Sequence, residues 1–211
     1  TPFYYGLLPI NYVTKKIPVP PKNLTELGKL EKQLLVENPA TSSTGEEALL
    51  WSIALYGKDW KDFWTALKPA IYTAEPGWSE AFAKFTAGEA PMMVGYATSN
   101  LFFSQDEEQS RFSSFLLEDG TFMYLEGASL VNKKETKEGA KKFMEYILSE
   151  EFQSLVPKKN YMFPVIETPL TEEFKFVPTT EKTVKLSDEQ VNDLVNNLDR
   201  YKSELIEILK K

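Results

Sequence analysis

The sequence predicts an α/β fold. Short apolar runs recur along the chain, and several lead through a turn rich in Gly, Ser, Thr or Asn into an amphipathic stretch. Composition is that of an ordinary globular protein, 42% hydrophobic and 26% charged, which excludes wholesale disorder. No apolar run reaches the ~18 residues that a membrane span needs. At 211 residues the chain can bury one good core, or one lobe with pieces of a second.

Phe3 to Val13 mixes Tyr, Leu, Ile and Val with Gly6 and Pro9, and reads as a crossover or edge strand rather than a central one. Ile17-Pro18-Val19-Pro20-Pro21 is a loop, after which Asn23 caps a short helix reaching Leu30. Leu34-Leu35-Val36-Glu37 is a buried parallel strand. A hydroxyl-rich turn, Asn38-Pro39-Ala40-Thr41-Ser42-Ser43-Thr44-Gly45, then enters an apolar helix through Trp51. The first N–H groups of such a helix have no partner within it; Ser or Thr caps them, or an anion does. Trp60 to Leu67 is a helix whose Trp60, Phe63, Trp64 and Leu67 share one core-facing side.

Ile71-Tyr72-Thr73 is a strand, and Gly77-Trp78-Ser79-Glu80 opens the next helix. Pro91 to Tyr96 is a third strand, with a helix start after Ala97-Thr98-Ser99-Asn100. Three strand-to-helix turns therefore carry Ser42, Trp78 and Tyr96. Open α/β sheets bind ligands beyond the carboxyl ends of their strands, so parallel neighbours would bring these three residues to one cleft. Residues 111–117 and 121–131 form two β segments around Glu118-Asp119-Gly120. Helices follow at 137–148, with Ala140, Phe143, Met144 and Ile147 apolar, and at 149–155, with Phe152 and Leu155 inward. Residues 158–165 mix loop and strand. Asp188 to Lys210 is a long final helix with Ser187 as cap and Gln190 at its third position.

Whole classes of mechanism drop out. Cys is absent, which excludes thiol nucleophiles, disulfides and zinc-thiolate sites. His is absent as well, which excludes Ser-His-Asp triads and His-ligated metals. A net charge of -7 argues against nucleic acid as a partner, because phosphate binding needs clustered Lys and Arg. The chain opens Thr1-Pro2, with no Met and no secretory leader, so the expectation is a processed product or a piece of something longer.

Thr41-Ser42-Ser43-Thr44-Gly45, then Trp51, then Gly77-Trp78-Ser79-Glu80-Ala81-Phe82, then Gly95-Tyr96-Ala97-Thr98-Ser99 resembles the periplasmic thiamine-binding proteins of ABC importers in both residues and spacing. The likeness continues through Phe143-Met144, Phe152-Gln153, Pro157 and Asn160-Tyr161-Met162-Phe163-Pro164-Val165. It implies a type II periplasmic-binding-protein-like lobe, three-layer α/β/α with a mixed sheet, plus C-terminal helices. Residues 1–10 would be the hinge crossover strand and 11–165 the ligand-binding lobe two. Residues 166–211 would be a helical segment returning to lobe one, most of which has no counterpart here. If that segment stayed uncovered, a helix-exchanged homodimer or a rearranged C-terminus would follow.

The resemblance implies no enzyme, no cofactor and no metal site. The implied cargo is thiamine, thiamine monophosphate or thiamine diphosphate; the partners are ABC importer membrane subunits, in the periplasm or outside the cell. Ser42 and Ser43 would contact the hydroxyethyl or phosphate end, and Trp78, Tyr96 and Tyr161 would surround the rings. Aromatic faces suit a permanently cationic thiazolium, by about 0.5–2 kcal/mol each. Phe102 stands where the family has a second Tyr, and Tyr161 where it usually has Trp. Glu46 and Glu47 occupy a helix turn that is usually uncharged in the family, which disfavours phosphate there. Ferric iron, with Tyr4-Tyr5 as the hint, and polyamine, with Glu75 and Glu80 near Trp78, are the alternative cargoes, and a non-binding interaction module is a further alternative.

Overall fold

The first apolar stretch of the chain serves two sheets in the computed structural model, which describes residues 1–102 and 111–210. Strand β1 (Pro2–Leu8) and strand β2 (Ile10–Val13) are one run of chain divided at Pro9. Pro9 has no N–H to give a ladder, so it sits where the chain leaves one sheet for the other. Neither strand is an edge. β1 lies between β7 (Thr121–Gly127) and β8 (Phe163–Pro164), and β2 between β5 (Met92–Val94) and β6 (Phe112–Phe115). The crossover expected at the start is present, and the edge alternative is not.

The larger sheet has the order β4-β3-β5-β2-β6, with β3 at Leu34–Glu37 and β4 at Ile71–Glu75. β3 runs parallel to β4 and β5, while β2 is antiparallel to β5 and β6, so the sheet is mixed. All four residues of β3 are buried, as a central strand covered on both faces requires. The smaller sheet is β8-β1-β7-β9, with β9 at Thr183–Val184.

Helices cover both faces of the larger sheet. On one face Leu34, Val36, Met92 and Val94 meet Ala48, Leu49 and Ile53 of α2 (Ser43–Tyr56) and Trp60, Trp64 and Leu67 of α3 (Trp60–Leu67). Leu24 and Leu27 of α1 (Leu24–Leu27) join that core, and Asn23 caps α1 by accepting from the Glu26 N–H at 2.9 Å. α1 stops at Gly28, short of Leu30. On the other face Val13, Leu35, Met93 and Phe112 meet Ala81 and Phe85 of α4 (Trp78–Ala87). Two buried indoles keep their N–H groups satisfied: Trp51 donates to Gly120 O and Trp64 to Ser52 Oγ, both at 2.9 Å. The result is the three-layer α/β/α arrangement that the sequence predicts.

Three elements differ from expectation. β6 and β7 do not form a hairpin; they belong to different sheets, so the chain crosses a second time at 116–120. Asp119 anchors that crossing by accepting from the Leu24 N–H at 2.9 Å. Helix α5 (Glu138–Tyr146) buries none of its residues, although Ile147 just past it is 1% exposed. The second helix of this pair is short, α6 (Glu150–Gln153), and continues as a π-helical turn over Val156–Asn160 with Leu155 exposed.

The closing helix is α7 (Asp188–Lys210). It packs on α2 and α3 of this chain, with Leu194 and Leu205 inside the main core and Tyr201 against Trp60 at 5.5 Å. Ser187 and Gln190 form a reciprocal cap, and the Gln190 amide also donates to Ile53 O of α2 at 2.7 Å. Leu194 and Leu205 are thus covered within the chain, while Val191 and, ahead of the helix, Phe176 stay exposed at 43% and 57%. The reason for the packing is geometric: Leu194, Leu198, Leu205 and Ile208 recur at helical spacing and match the outer side of the α2–α3 pair.

Candidate ligand-binding site

Three of the sequence-predicted residues meet as that reading requires. β4, β3 and β5 are parallel neighbours, and their carboxyl ends deliver Trp78, the α2 turn and Tyr96 to the same rim. Gly45 lets α2 start this close to β3, because a Cβ there would stand 2.6 Å from Glu37 O. Trp78 is the first residue of α4; its ring lies 6.2 Å from that of Tyr96 and stacks on Phe82 at 4.6 Å. Tyr96 follows β5 in a turn pinned by Ser99, whose hydroxyl accepts the Tyr96 N–H at 3.1 Å. Trp78 and Tyr96 are both half-buried.

The hydroxyls of the α2 turn divide their work. Ser42 is the N-cap and accepts from the Gly45 N–H at 3.3 Å, which commits it to the helix. Ser43 is exposed at the rim. Thr44, fully buried, donates to the Tyr96 hydroxyl at 3.1 Å. Burial pushes the Tyr96 phenol above its usual range, and the neighbouring Glu47 adds to this, while Thr44 and Ser43 oppose it by hydrogen bonding. Tyr124 of β7 packs on Tyr96 from the smaller sheet, ring centroids 5.1 Å apart.

Tyr161 packs in a cluster separate from those of Trp78 and Tyr96. It closes the π-helical turn in a left-handed conformation, φ 54°, and packs with Leu7, Ala97, Leu101 and Phe163, next to the residue that follows Tyr96. The Phe102 side chain lies outside the described residues.

Carboxylates are the other feature of this rim; the sequence reading names Glu46, Glu47 and Glu75 there, but not Glu37. Glu37 ends β3 and is 2% exposed, and apart from its own backbone N–H neither of its oxygens meets a donor among the described residues. Burial holds it well above the ordinary carboxylate range, with Glu47 and Glu75 adding repulsion. Glu47 shares a side of α2 with Thr44 and has Oε2 buried without a partner. Burial, then Glu126 and Glu46, pushes it to about 8. Glu46 turns the other way and pairs with Lys202 of α7. Glu75 is neutralised by Lys84 at 2.7 Å. A charged residue ending a fully apolar strand was the signal in the sequence for Glu37.

Among the described residues, no three acidic groups stand close enough together to hold a metal ion, and no helix is long and apolar enough to cross a membrane. A cleft of about 860 Å³ opens elsewhere, at the far end of α2, lined by Ile53, Lys61, Gln190 and Tyr201.

This architecture has known relatives. The chain is similar to a solved periplasmic thiamin binding protein, with a TM-score of 0.87 and 26% identity over 100% of this chain and 67% of that one. The apo ferric ion-binding protein A of Pasteurella haemolytica superposes with a TM-score of 0.80 at 18% identity, covering 98% of this chain and 68% of that one, a likeness of fold. In sequence the chain is 34% identical over 194 residues to the thiamine-binding periplasmic protein of Brucella abortus biovar 1 (strain 9-941), covering 90% of this chain and 58% of that protein. It is 29% identical over 192 residues to the thiamine-binding periplasmic protein of Escherichia coli (strain K12), covering 90% and 59%. The chain thus spans under two thirds of the length of these curated relatives. The profile of the bacterial extracellular solute-binding proteins matches residues 1–154, and the chain belongs to that family.

Proposed function

We propose that this protein is an extracytoplasmic cargo-binding component of an ABC importer, and that its cargo is thiamine or a thiamine phosphate. The observation that carries the reading is the Trp78–Tyr96 pair, 6.2 Å apart at the carboxyl ends of parallel strands, with Tyr124 behind Tyr96. Two aromatic faces at such a rim suit flat rings, one of them cationic, and each face contributes about 0.5–2 kcal/mol to holding the cation. Curated relatives matching 90% of this chain carry thiamine binding in their names, which supports the same cargo. Membrane subunits of the importer are the partners this role implies. The role is carriage without chemistry on the cargo, so it calls for no cofactor.

Ferric iron fits the structure less well. Tyr4 and Tyr5 are consecutive on β1 and face opposite sides, Tyr4 toward Tyr124 and Met162, Tyr5 toward Leu7 and Phe163. They cannot close on one ion. For a polyamine, the two acids expected near Trp78 are committed or solvated: Glu75 is held by Lys84, and Glu80 is exposed.

Titration of tryptophan fluorescence with thiamine, spermidine and ferric citrate separates these readings. Saturable quenching by thiamine alone is expected. A response to spermidine or iron in its place would move the protein to another cargo, and no response to any would make it an interaction module.

A further inference from the structure

Asn11 lies on β2 and is 2% exposed, on the sheet side that also carries Leu35 and Glu37. Its amide nitrogen donates to Tyr96 O at 3.0 Å and to Ser114 Oγ at 2.6 Å. That fixes the other end of the carboxamide: Oδ1 turns away from β6 and over Gly95, where a Cβ would collide with it. In the order β4-β3-β5-β2-β6 this direction leads toward β3 and the buried Glu37. Oδ1 has no partner among the described residues, and neither have Glu37 Oε1, Glu37 Oε2 and Glu47 Oε2. These four buried oxygens are all acceptors when the carboxyls are ionised. Such a site is completed by donors brought to it: protons, water or a cation.

We propose that Glu37, Glu47 and the Asn11 carboxamide oxygen form a proton-exchanging subsite beneath the Trp78–Tyr96 wall, which takes an organic cation and releases a proton as it does so. Tyr96 is the common neighbour, within electrostatic reach of both Glu37 and Glu47. In the empty site each carboxyl holds its proton, because burial without donors disfavours the anion. When the cation enters, a carboxyl gives its O–H proton to solvent and the carboxylate pairs with the cation. Charge in the site is conserved.

The surrounding charges do not remove the demand. Glu37 faces Glu47 from α2 and Glu75 from β4, and Glu75 is already matched by Lys84 of α4. Around Glu47 stand Glu46, matched by Lys202 of α7, and Glu126, Tyr124 and Tyr96 from the β strands and the turn, with Tyr4 beside Tyr124. None of these supplies a free positive charge.

The identity of the cation as thiamine rests on the function proposed above, whereas the subsite does not. Calorimetry with thiamine in phosphate and in Tris, whose ionisation enthalpies differ, counts the protons released. About one proton per thiamine is expected at pH 7, with Kd falling up to roughly tenfold per pH unit below about pH 8 and flattening above it. Glu47→Gln should abolish most of that release, and Glu37→Gln, isosteric and uncharged, should change the pH profile without unfolding the protein, as thermal melts check. Zero release with a pH-independent Kd would overturn the proposal, and so would release unchanged in both variants. If thiamine does not bind at any pH, the cargo reading falls, and benzyltrimethylammonium, a flat-ringed cation, becomes the probe. Proton-linked binding of that probe supports the subsite, and its failure to bind overturns it.

Discussion

At Tyr96 three neighbours meet: the Thr44 hydroxyl at 3.1 Å, the Tyr124 ring at 5.1 Å and the Trp78 ring at 6.2 Å. Of these three, Trp78 begins α4 at the rim where β3, β4 and β5 end. Trp78→Ala should therefore cost roughly 1–3 kcal/mol of thiamine affinity, the range for ring stacking on an aromatic side chain. An unchanged calorimetric Kd would take Trp78 out of the site. The two acids of the α2 first turn should separate cleanly. Glu46 is held by Lys202, so Glu46→Gln should leave the preference between thiamine and its diphosphate unaltered. Glu47→Gln removes the carboxyl turned toward Tyr96 and should move preference toward the diphosphate in a competition titration. The empty protein should also carry a pH signature. Glu47 binds its proton more tightly folded than unfolded, so its contribution is complete below the unfolded carboxyl value near 4.5 and fades as pH rises through about 8. Melting temperature should fall between about pH 5 and pH 8 and do so less steeply in Glu47→Gln.

Among the elements, α7 and α5 have similar amphipathic patterns and opposite fates. α7 is covered by α2 and α3, and Leu205 is 1% exposed. Leu205→Ala should destabilise by about 2–5 kcal/mol, the usual cost of truncating a buried leucine. On α5 Phe143 is 55% exposed, and Phe143→Ser should change the free energy of unfolding by no more than about 0.5 kcal/mol. Equal effects from both would refute this packing. Periodicity made both helices legible, because apolar residues at helical spacing need only the local chain. Which surface each would cover was not legible, since that depends on partners far away in sequence. The same limit explains β6 and β7. Two strand-like runs around Glu118-Asp119-Gly120 look like a hairpin, and only the pairing of β6 with β2 and of β7 with β1 reveals that the chain changes sheets there. Trp78 and Tyr96 could be placed from the sequence because strand-to-helix turns end on one rim of a parallel sheet. Asn11 and Thr44 could not, because their roles arise from β2 and α2 meeting the Tyr96 turn.

For the whole molecule, two chain crossings, at Pro9 and at 116–120, join a five-stranded sandwich to a four-stranded sheet. Tyr124 comes from the smaller sheet, Trp78 and Thr44 from the larger sheet's helices, and Tyr96 stands where they meet. A crystal structure of the protein grown with thiamine, at a concentration that saturates the fluorescence change, tests the placement of cargo at this rim most directly. The account predicts a thiamine ring within ~4 Å of Trp78 and Tyr96, with its charged part toward Glu47. Thiamine ordered in the cleft between α2 and α7 instead, with the Trp78–Tyr96 rim vacant, would contradict it.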